Sequence, residues 1–551
     1  MPIACRLTPR ADGALVSADL PEVPFKNPRL QGELSSDGEL RLSIWGAGEA
    51  GRLRIERFEG PFVVSPNRIE GANGAGLFLR PSAPAMVLRG AQPILLREEG
   101  EGRVRLAPVG DDWLIAVGAD AAEADAAARP AVEATIADSA AYVARCDQLA
   151  GADPMLRSLV IHGVHAALAA VCHDAQGGFA GLAAGFDYAS PPRTYYRDSY
   201  WTFPILLRQA PELVAAQIEI LARQVQASGE APSGVVCAGP HAEAFEQRRL
   251  EELAMAAVHW RPGDWWSDHF DSPLFFVLAI GDYAAATGDL TLAKTHWPRL
   301  RVIFDRYRAL QGFRGLPVKP RNDRDWADNV FRSGLVAYDL GLWVGALDAL
   351  ARIGEGLDPE LAREARLEAD HARAAIDQAL WLGEAYADYV RLDGSTEPHA
   401  TLDALTLLRF GGAPDTRALA VLSACRARLE SRRNSRQPYG DFGMLCVDPP
   451  FARADELRGK SAFPYRYHNG GDWPWLDGLY AGERLRRGLG GWRYPLTRWW
   501  ASCLDNGWAG AVEHFSPGYG RGSLMQAWSS LPAAIALEHR DQVLAGDPDQ
   551  T

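Results

Sequence analysis

From about residue 154 almost to its end, the chain repeats apolar residues at helical spacing, and this limits its fold more than any other feature. Val214, Ile218, Leu221 and Val225 share one face, and so do Val336, Leu340, Trp343, Leu347 and Leu350. Stretches of the same kind cover 155–173, 273–288, 290–310, 360–382, 402–410, 415–431, 474–488, 493–505 and 523–540. Short joins between such helices make antiparallel hairpins. The longer connections, 176–200, 228–242, 260–272, 313–333, 432–473 and 506–522, hold the unusual residues. Long loops in compact domains tend to carry function. A ring of helical hairpins with these loops opening on one side is therefore expected. No fixed-period repeat supports an open solenoid.

The first 120 residues follow another rule. Leu40, Leu42 and Ile44 alternate with polar residues, as do Leu53 and Ile55, then Val104 and Leu106, with Gly-rich turns between. Trp113 to Val117 reads as a buried strand, and period-two alternation with such punctuation predicts an all-β sandwich. An Ala-rich stretch, 121–152, predicts a linker helix, leaving 153–551 as the main helical domain.

The net charge of −13 argues against a nucleic-acid or anionic-membrane surface as the main partner. Neither a signal pattern nor an apolar run long enough to span a bilayer is seen, so the expected compartment is the cytoplasm. Seven scattered cysteines without a CxxC give no zinc or disulfide framework. No metal or cofactor is expected. His259 and His269 lack zinc spacing, Asp264 with Asp268 lacks that of a calcium loop, and no nucleotide-binding glycine motif occurs.

Two loop segments put carboxylates among Trp, Asn and Gly rather than among other surface charges. They are Arg321-Asn-Asp-Arg-Asp-Trp-Ala-Asp-Asn329 and Ala511-Val-Glu-His-Phe-Ser-Pro-Gly518. Breaking a glycosidic bond needs one carboxyl to protonate the leaving oxygen and another to activate water or attack the sugar. Asp328 and Glu513 are the candidates. Set against this, either Asp325 or Asp328 could cap a helix starting near Phe331, and Glu513 could be a surface acid.

Several loops resemble those of the six-hairpin, α/α-toroid glycosidases. This group joins trehalases, glucoamylases, family 63 glycosidases, glycogen-debranching glucosidases and alkaline invertases. Tyr195-Tyr-Arg-Asp-Ser-Tyr-Trp201 resembles the Arg-Asp-Ser segment of debranching-type members, and Tyr467-His-Asn-Gly-Gly-Asp-Trp-Pro474 the Tyr-His-Asn-Gly run of invertase relatives. Glu513-His-Phe-Ser-Pro-Gly-Tyr-Gly520 with Gln526-Ala-Trp528 is similar to their C-terminal base motif. Asp325-Trp-Ala-Asp-Asn329 departs from the family's Glu-Ser-Gly-x-Asp pattern, yet its last two residues align with the acid and the following Asn. It also resembles the Asp-Trp-Asn-Asp-Gly acid motif of family 94 phosphorylases. The matches keep their order over about 155–540.

The resemblance implies an (α/α)6 toroid in a mainly α chain, preceded by the β-sandwich of 1–120 and the linker helix of 121–152. It also implies an inverting glycosidase acting on a short α-glucoside, with Asp328 as acid and Glu513 as base. Arg197, Asp198, Tyr196, Trp201, Trp326, His468, Asn469, Trp473 and Trp528 would hold the sugar, with the β domain helping to wall the pocket. Asp187 in Gly185-Phe-Asp-Tyr188 is a further candidate, as is the aromatic-acid cluster Trp265, Trp266, Asp268 and His269. For each Trp, core packing is the competing reading. Asp472 and Asp477 are assigned to the following helix. Rival functions are a phosphorylase with Arg193, Arg197 and Arg521 around phosphate, a β-fructosidase, a lyase or epimerase using His468, and a toroid without catalysis. Sugar identity is not encoded in any single residue, and a homo-oligomer stays open.

Overall fold

The computed structural model describes residues 147–149, 151–173, 179–185, 193–236, 269–506, 508 and 510–549. It also describes twelve N-terminal strands between Arg6 and Val117, with short parts of the turns joining the later ones. These form two six-stranded antiparallel sheets, β1-β2-β3-β4-β5-β10 and β11-β12-β9-β8-β7-β6. Leu40, Leu42 and Ile44 lie in β4 (Leu40–Trp45), and Leu53 and Ile55 in β5 (Glu49–Glu56). Leu77, Leu88 and Ile115, from β8 (Gly76–Leu79), β9 (Ala85–Arg89) and β12 (Asp112–Val117), are wholly buried. The expected linker helix falls almost entirely outside the described residues; the turn Asp147–Leu149 is what is described of its end.

Among the described residues, twelve helices between Pro154 and Glu538 then alternate between two roles. The even-numbered ones are α2 (Tyr196–Gln209), α4 (Ser272–Thr287), α6 (Ala337–Gly354), α8 (Thr406–Arg409), α10 (Pro474–Arg486) and α12 (Leu531–Glu538). Each packs on the next, and α12 returns to α2, closing an inner ring. A helix surrounded by others is buried on nearly every side. In α6 every residue but Asp348 and Arg352 is buried, and in α10 every residue but Arg486. The odd-numbered partners are α1 (Pro154–Ala169), α3 (Pro211–Ala222), α5 (Thr291–Ala309), α7 (Pro359–Leu380), α9 (Asp415–Leu429) and α11 (Arg493–Asp505). Most of these bury a single stripe. In α7 it is Leu361, Ala365, Ala369, Ala372, Ile376 and Leu380, with Pro359 at the first turn and Asp358 capping Leu361 N at 3.1 Å.

The inner ring is tight because small residues sit where helices cross. A Cβ on Gly341 of α6 would lie 2.6 Å from the backbone carbon of Thr406 in α8, and one on Gly478 of α10 would lie 2.9 Å from Pro532 N in α12. Neither neighbour is a side-chain tip that can swing away. Gly341→Ala is therefore expected to destabilise the protein by about 1–3 kcal/mol, against a helix-propensity gain of about 1 kcal/mol at an open site. A raised or unchanged thermal midpoint would show that the crossing has slack.

Several boundaries differ from the sequence reading; the helix expected over 155–173, for one, ends at Ala169, and Val171–His173 is a strand. The helix expected near Phe331 begins at Ala337, because the strand Arg332–Val336 intervenes and pairs with Lys319–Asn322 and Tyr389–Val390. The helix expected over 523–540 is shorter, as residues up to Gln526 belong to a loop and Ala527–Ser530 form a single 3-10 turn. Val225 lies beyond the end of α3, although it is buried. Cys172, Cys425, Cys446 and Cys503 are buried. Among the described residues no helix is long and apolar enough to cross a membrane.

Candidate active site

The loop that carries Asp328 is fixed from beneath by a buried cation. Arg332, 1% exposed, donates to Asp325 at 2.9 and 3.2 Å, to Asp388 at 2.9 Å and to Asp403 at 2.6 Å. Asp325 also accepts from Ala327 N at 2.9 Å, which closes the turn, and lies 3.5 Å from the buried Lys319 ammonium. Trp326 donates its indole N–H to Asp403 at 2.6 Å. Burial alone would raise the Asp325 carboxyl, but Arg332 and Lys319 overcome it and hold the group well below the usual carboxylate range. Asp325 is thus an ion-pair anchor and caps no helix. The helix it was expected to cap starts only at Ala337.

The start of α2 meets this loop. Arg197 donates to the Asp325 carbonyl at 2.9 Å and lies 3.5 Å from Asp328 Oδ1 and 3.4 Å from Asp271 Oδ2. Its ion-pair partners are therefore Asp271 and Asp328, not the adjacent Asp198. Asp198 accepts from Gln526 at 2.8 Å, and burial pushes its carboxyl up to about 6. Asp328 keeps 22% of its side chain exposed. Burial raises its pKa well above the ordinary value; Arg197 opposes this, while Asp271, Asp325 and Asp323 add to it.

Glu513 comes from the opposite direction in sequence. Its backbone N–H donates to Ser523 O at 2.8 Å, and its Oε2 accepts from Ser523 N at 3.2 Å. Beyond it, Phe515–Ser516 pairs with Gly520–Arg521. Asp472 and Phe515 exchange backbone hydrogen bonds at 2.8 and 2.9 Å, which joins this segment to the one carrying Tyr467 and His468. A Cβ at position 522 would run into Glu513 Oε2. Gly522 leaves room for the carboxylate.

These segments converge on one cavity. Asp328 and Glu513 both line it, together with Arg197, Asp198, His269, Trp326, His468, Trp473 and Trp528. Trp473 and His468 stack with centroids 4.6 Å apart at 11°, and Trp326 meets both edge-on. Burial lowers the His468 pKa well below its ordinary value, so the ring is neutral.

Other expected residues lie elsewhere. Trp201 is 2% exposed and stacks on Trp475 within the ring of helices. Tyr196 points outward to donate to Leu221 O at 2.6 Å. Asn469 bonds Phe451 and Ser461, bracing the loop behind the cavity. Asp477 is wholly buried in the first turn of α10, while Asp472 accepts from Met444 N at 2.9 Å in the loop before it. Asp187, Trp265, Trp266 and Asp268 lie outside the described residues, as do His259 and Asp264. Among the described residues the walls of the cavity run from Tyr195 to Trp528.

Five lining residues were not anticipated: Tyr195, Ser233, Asp323, Arg458 and Tyr467. Tyr195 and Tyr467 open motifs already singled out, so their position was the available signal. Tyr467 holds φ at 53°, an uncommon conformation for a bulky side chain that turns the chain at the cavity wall. Ser233 and Arg458 carry no comparable mark.

By sequence, no family model and no curated protein matches the chain. By structure, a bacterial glucoamylase complexed with acarbose aligns over 100% of this chain and 88% of its own, at 11% identity and TM-score 0.53. A rhamnosidase from Klebsiella oxytoca with rhamnose bound aligns over 98% and 95%, at 14% identity and TM-score 0.51. A family 63 mannosylglycerate hydrolase from Thermus thermophilus, in complex with glucose, covers 68% of this chain and 99% of its own, at 14% identity and TM-score 0.50. At such identities the likeness defines the architecture: an (α/α)6 toroid of the six-hairpin type.

Proposed function

We propose that the chain is an inverting glycoside hydrolase that cleaves a short α-glucoside, a disaccharide or a glucosylated small molecule. The observation that carries this reading is the convergence of Asp328, whose pKa burial raises, and Glu513 on one aromatic-walled cavity. Asp328 gives its proton to the glycosidic oxygen as the bond to the anomeric carbon breaks and its electron pair passes to that oxygen. Glu513 takes a proton from a water that attacks the anomeric carbon from the opposite face. Trp326, Trp473 and Trp528 give the wall its apolar surface, while Arg197 and Asp198 bind hydroxyls. The fold likeness to a glucoamylase and to a hydrolase holding glucose supports the glycosidase class and a hexose in the site.

A panel of disaccharides and glucosides, assayed with and without phosphate, tests this. Phosphate-independent release of free sugar is expected. Turnover that required phosphate would replace water by phosphate and remove the need for Glu513. The guanidinium of Arg197 is already engaged by Asp271 and Asp328, which weighs against its serving a phosphate cradle.

The pH profile follows from the same contacts. Asp328 must carry its proton, so activity falls as pH rises through its pKa. Arg197 lowers that pKa, so removing the cation raises it. Arg197→Gln is expected to reduce turnover and to move the alkaline limb of kcat/KM to higher pH. A limb that stayed in place or moved down would contradict the assignment of the acid.

A further inference from the structure

A carboxylate at the head of a helix ordinarily caps it. Asp271 is the residue before α4 and is wholly buried, yet its side chain makes no capping hydrogen bond to that helix. It turns to the start of α2 instead. Its Oδ2 lies 3.4 Å from Arg197 Nε and accepts from the Tyr338 hydroxyl at 3.0 Å. The other end of the same guanidinium, Nη1, lies 3.5 Å from Asp328 Oδ1 and donates to the Asp325 carbonyl at 2.9 Å. One cation thus stands between two carboxyls: the candidate acid, and a residue that is not among the described lining of the cavity.

Two carboxyls that share one cation away from bulk water do not both ionise easily, and one of them holds a proton to higher pH. The contacts decide which. Burial raises both groups, but on Asp271 it is opposed by Arg197 and by the Tyr338 hydroxyl; on Asp328 Arg197 opposes it while Asp271 adds to it. The neighbours do not reverse this order. On the acid's own loop, Asp325 is matched by Arg332 and Lys319, and Asp323 by Arg458. Tyr195, Tyr467 and Glu513 line the same cavity as Asp328, and burial keeps the two phenols un-ionised. Beside Asp271, burial holds His269 neutral, with its Nδ1 3.9 Å from Oδ1. Asp339 is pushed toward the neutral acid by its own burial, and Asp198 is turned to Gln526.

We propose that Asp271 is a positioning residue for the acid: it takes up the charge of Arg197, and the proton that the two carboxyls compete for is left on Asp328. This rests on the reading of Asp328 as the acid and names what keeps it loaded. Asp271 need not touch the substrate. Once the Asp328 proton has passed to the glycosidic oxygen, the guanidinium at 3.5 Å is already in place beside the carboxylate that forms. The cation is held back before bond cleavage and steadies the new charge after it.

The test reads the Asp328 proton directly. Full-length protein, isotope-labelled at the aspartate side-chain carboxyls, is titrated by infrared spectroscopy, and the spectrum of the same protein carrying Asp328→Asn is subtracted. In Asp271→Asn the Asp328 carboxyl is expected to ionise at least about one pH unit lower than in the wild type, because Arg197 then has Asp328 as its remaining carboxylate partner. The alkaline limb of kcat/KM should move down with it, the reverse of the shift expected for Arg197→Gln. Tyr338→Phe, which only weakens the hold on Asp271, should move both readings the same way by less, and it decides the matter if Asp271→Asn does not fold. In an Arg197→Gln background, Asp271→Asn should change little. An Asp328 carboxyl that ionises at the same or a higher pH in these variants, or an equal shift in the absence of Arg197, overturns the proposal. A titration that moves as expected in a protein that hydrolyses no glycoside would sink the glycosidase reading and leave the sharing of Arg197 standing.

Discussion

Asp328→Asn is expected to lower kcat/KM about 10²–10⁴-fold on glycosides whose leaving group is an alcohol, the range over which positioned proton transfer acts. The same variant should lose far less on glycosides of acidic phenols. A phenoxide of low basicity departs without a proton, so the missing acid hardly matters. Glu513→Gln should lose activity on both kinds, because water must still be activated whatever group leaves. The comparison of substrates within one variant is the informative part. Asp328 also faces Arg197 at 3.5 Å, and its replacement disturbs that contact equally for every substrate. Equal losses on alcohol and phenol glycosides in Asp328→Asn would remove the acid role.

The second large effect concerns stability. Arg332→Met leaves Asp325, Asp388 and Asp403 buried without the guanidinium that all three share. Breaking a buried pair from one side costs about 3–5 kcal/mol, because it strands charge in a low-dielectric interior. The same step frees Asp325 and, through Asp403, the Trp326 indole, so the Asp328 loop loses its footing as well. Arg332→Lys keeps the charge but cannot make four hydrogen bonds to three carboxylates, and an intermediate loss is expected. Urea unfolding followed by tryptophan fluorescence gives the order: wild type, Lys, Met. A Met variant within about 1 kcal/mol of wild type would show that the carboxyls are neutral and need no cation.

The toroid was legible because its signal is repeated. Each helix advertises itself by spacing, and the alternation of mostly apolar helices such as α6 with striped ones such as α7 is written in composition. The converging loops were legible where chemistry leaves a local mark, as in Trp326-Ala-Asp328 or Tyr467-His468. What stayed hidden depends on direction and on distance in the chain. Tyr196, Arg197, Asp198 and Trp201 share one motif, yet only the middle two reach the cavity, because neighbours on one helix point to different sides. Asn469 has the look of a sugar ligand and instead braces Phe451 and Ser461, a use that a side-chain amide does not announce. The role of Asp325 is hidden because its partner Arg332 reads as part of a helix. The short strand that carries Arg332 is set by pairing with Tyr389–Val390, more than fifty residues away. Arg458 and Ser233 reach the site through loops whose course no local pattern specifies.

The most direct measurement is the configuration of the first sugar released from an α-glucoside, followed by proton NMR before mutarotation, in phosphate-free buffer. Two carboxyl groups that admit a water between them and the anomeric carbon give the β-anomer first, with Asp328 and Glu513 both required. Initial release of the α-anomer would mean a covalent glycosyl-enzyme intermediate. Glu513 would then be the nucleophile rather than the base, which contradicts the inverting mechanism.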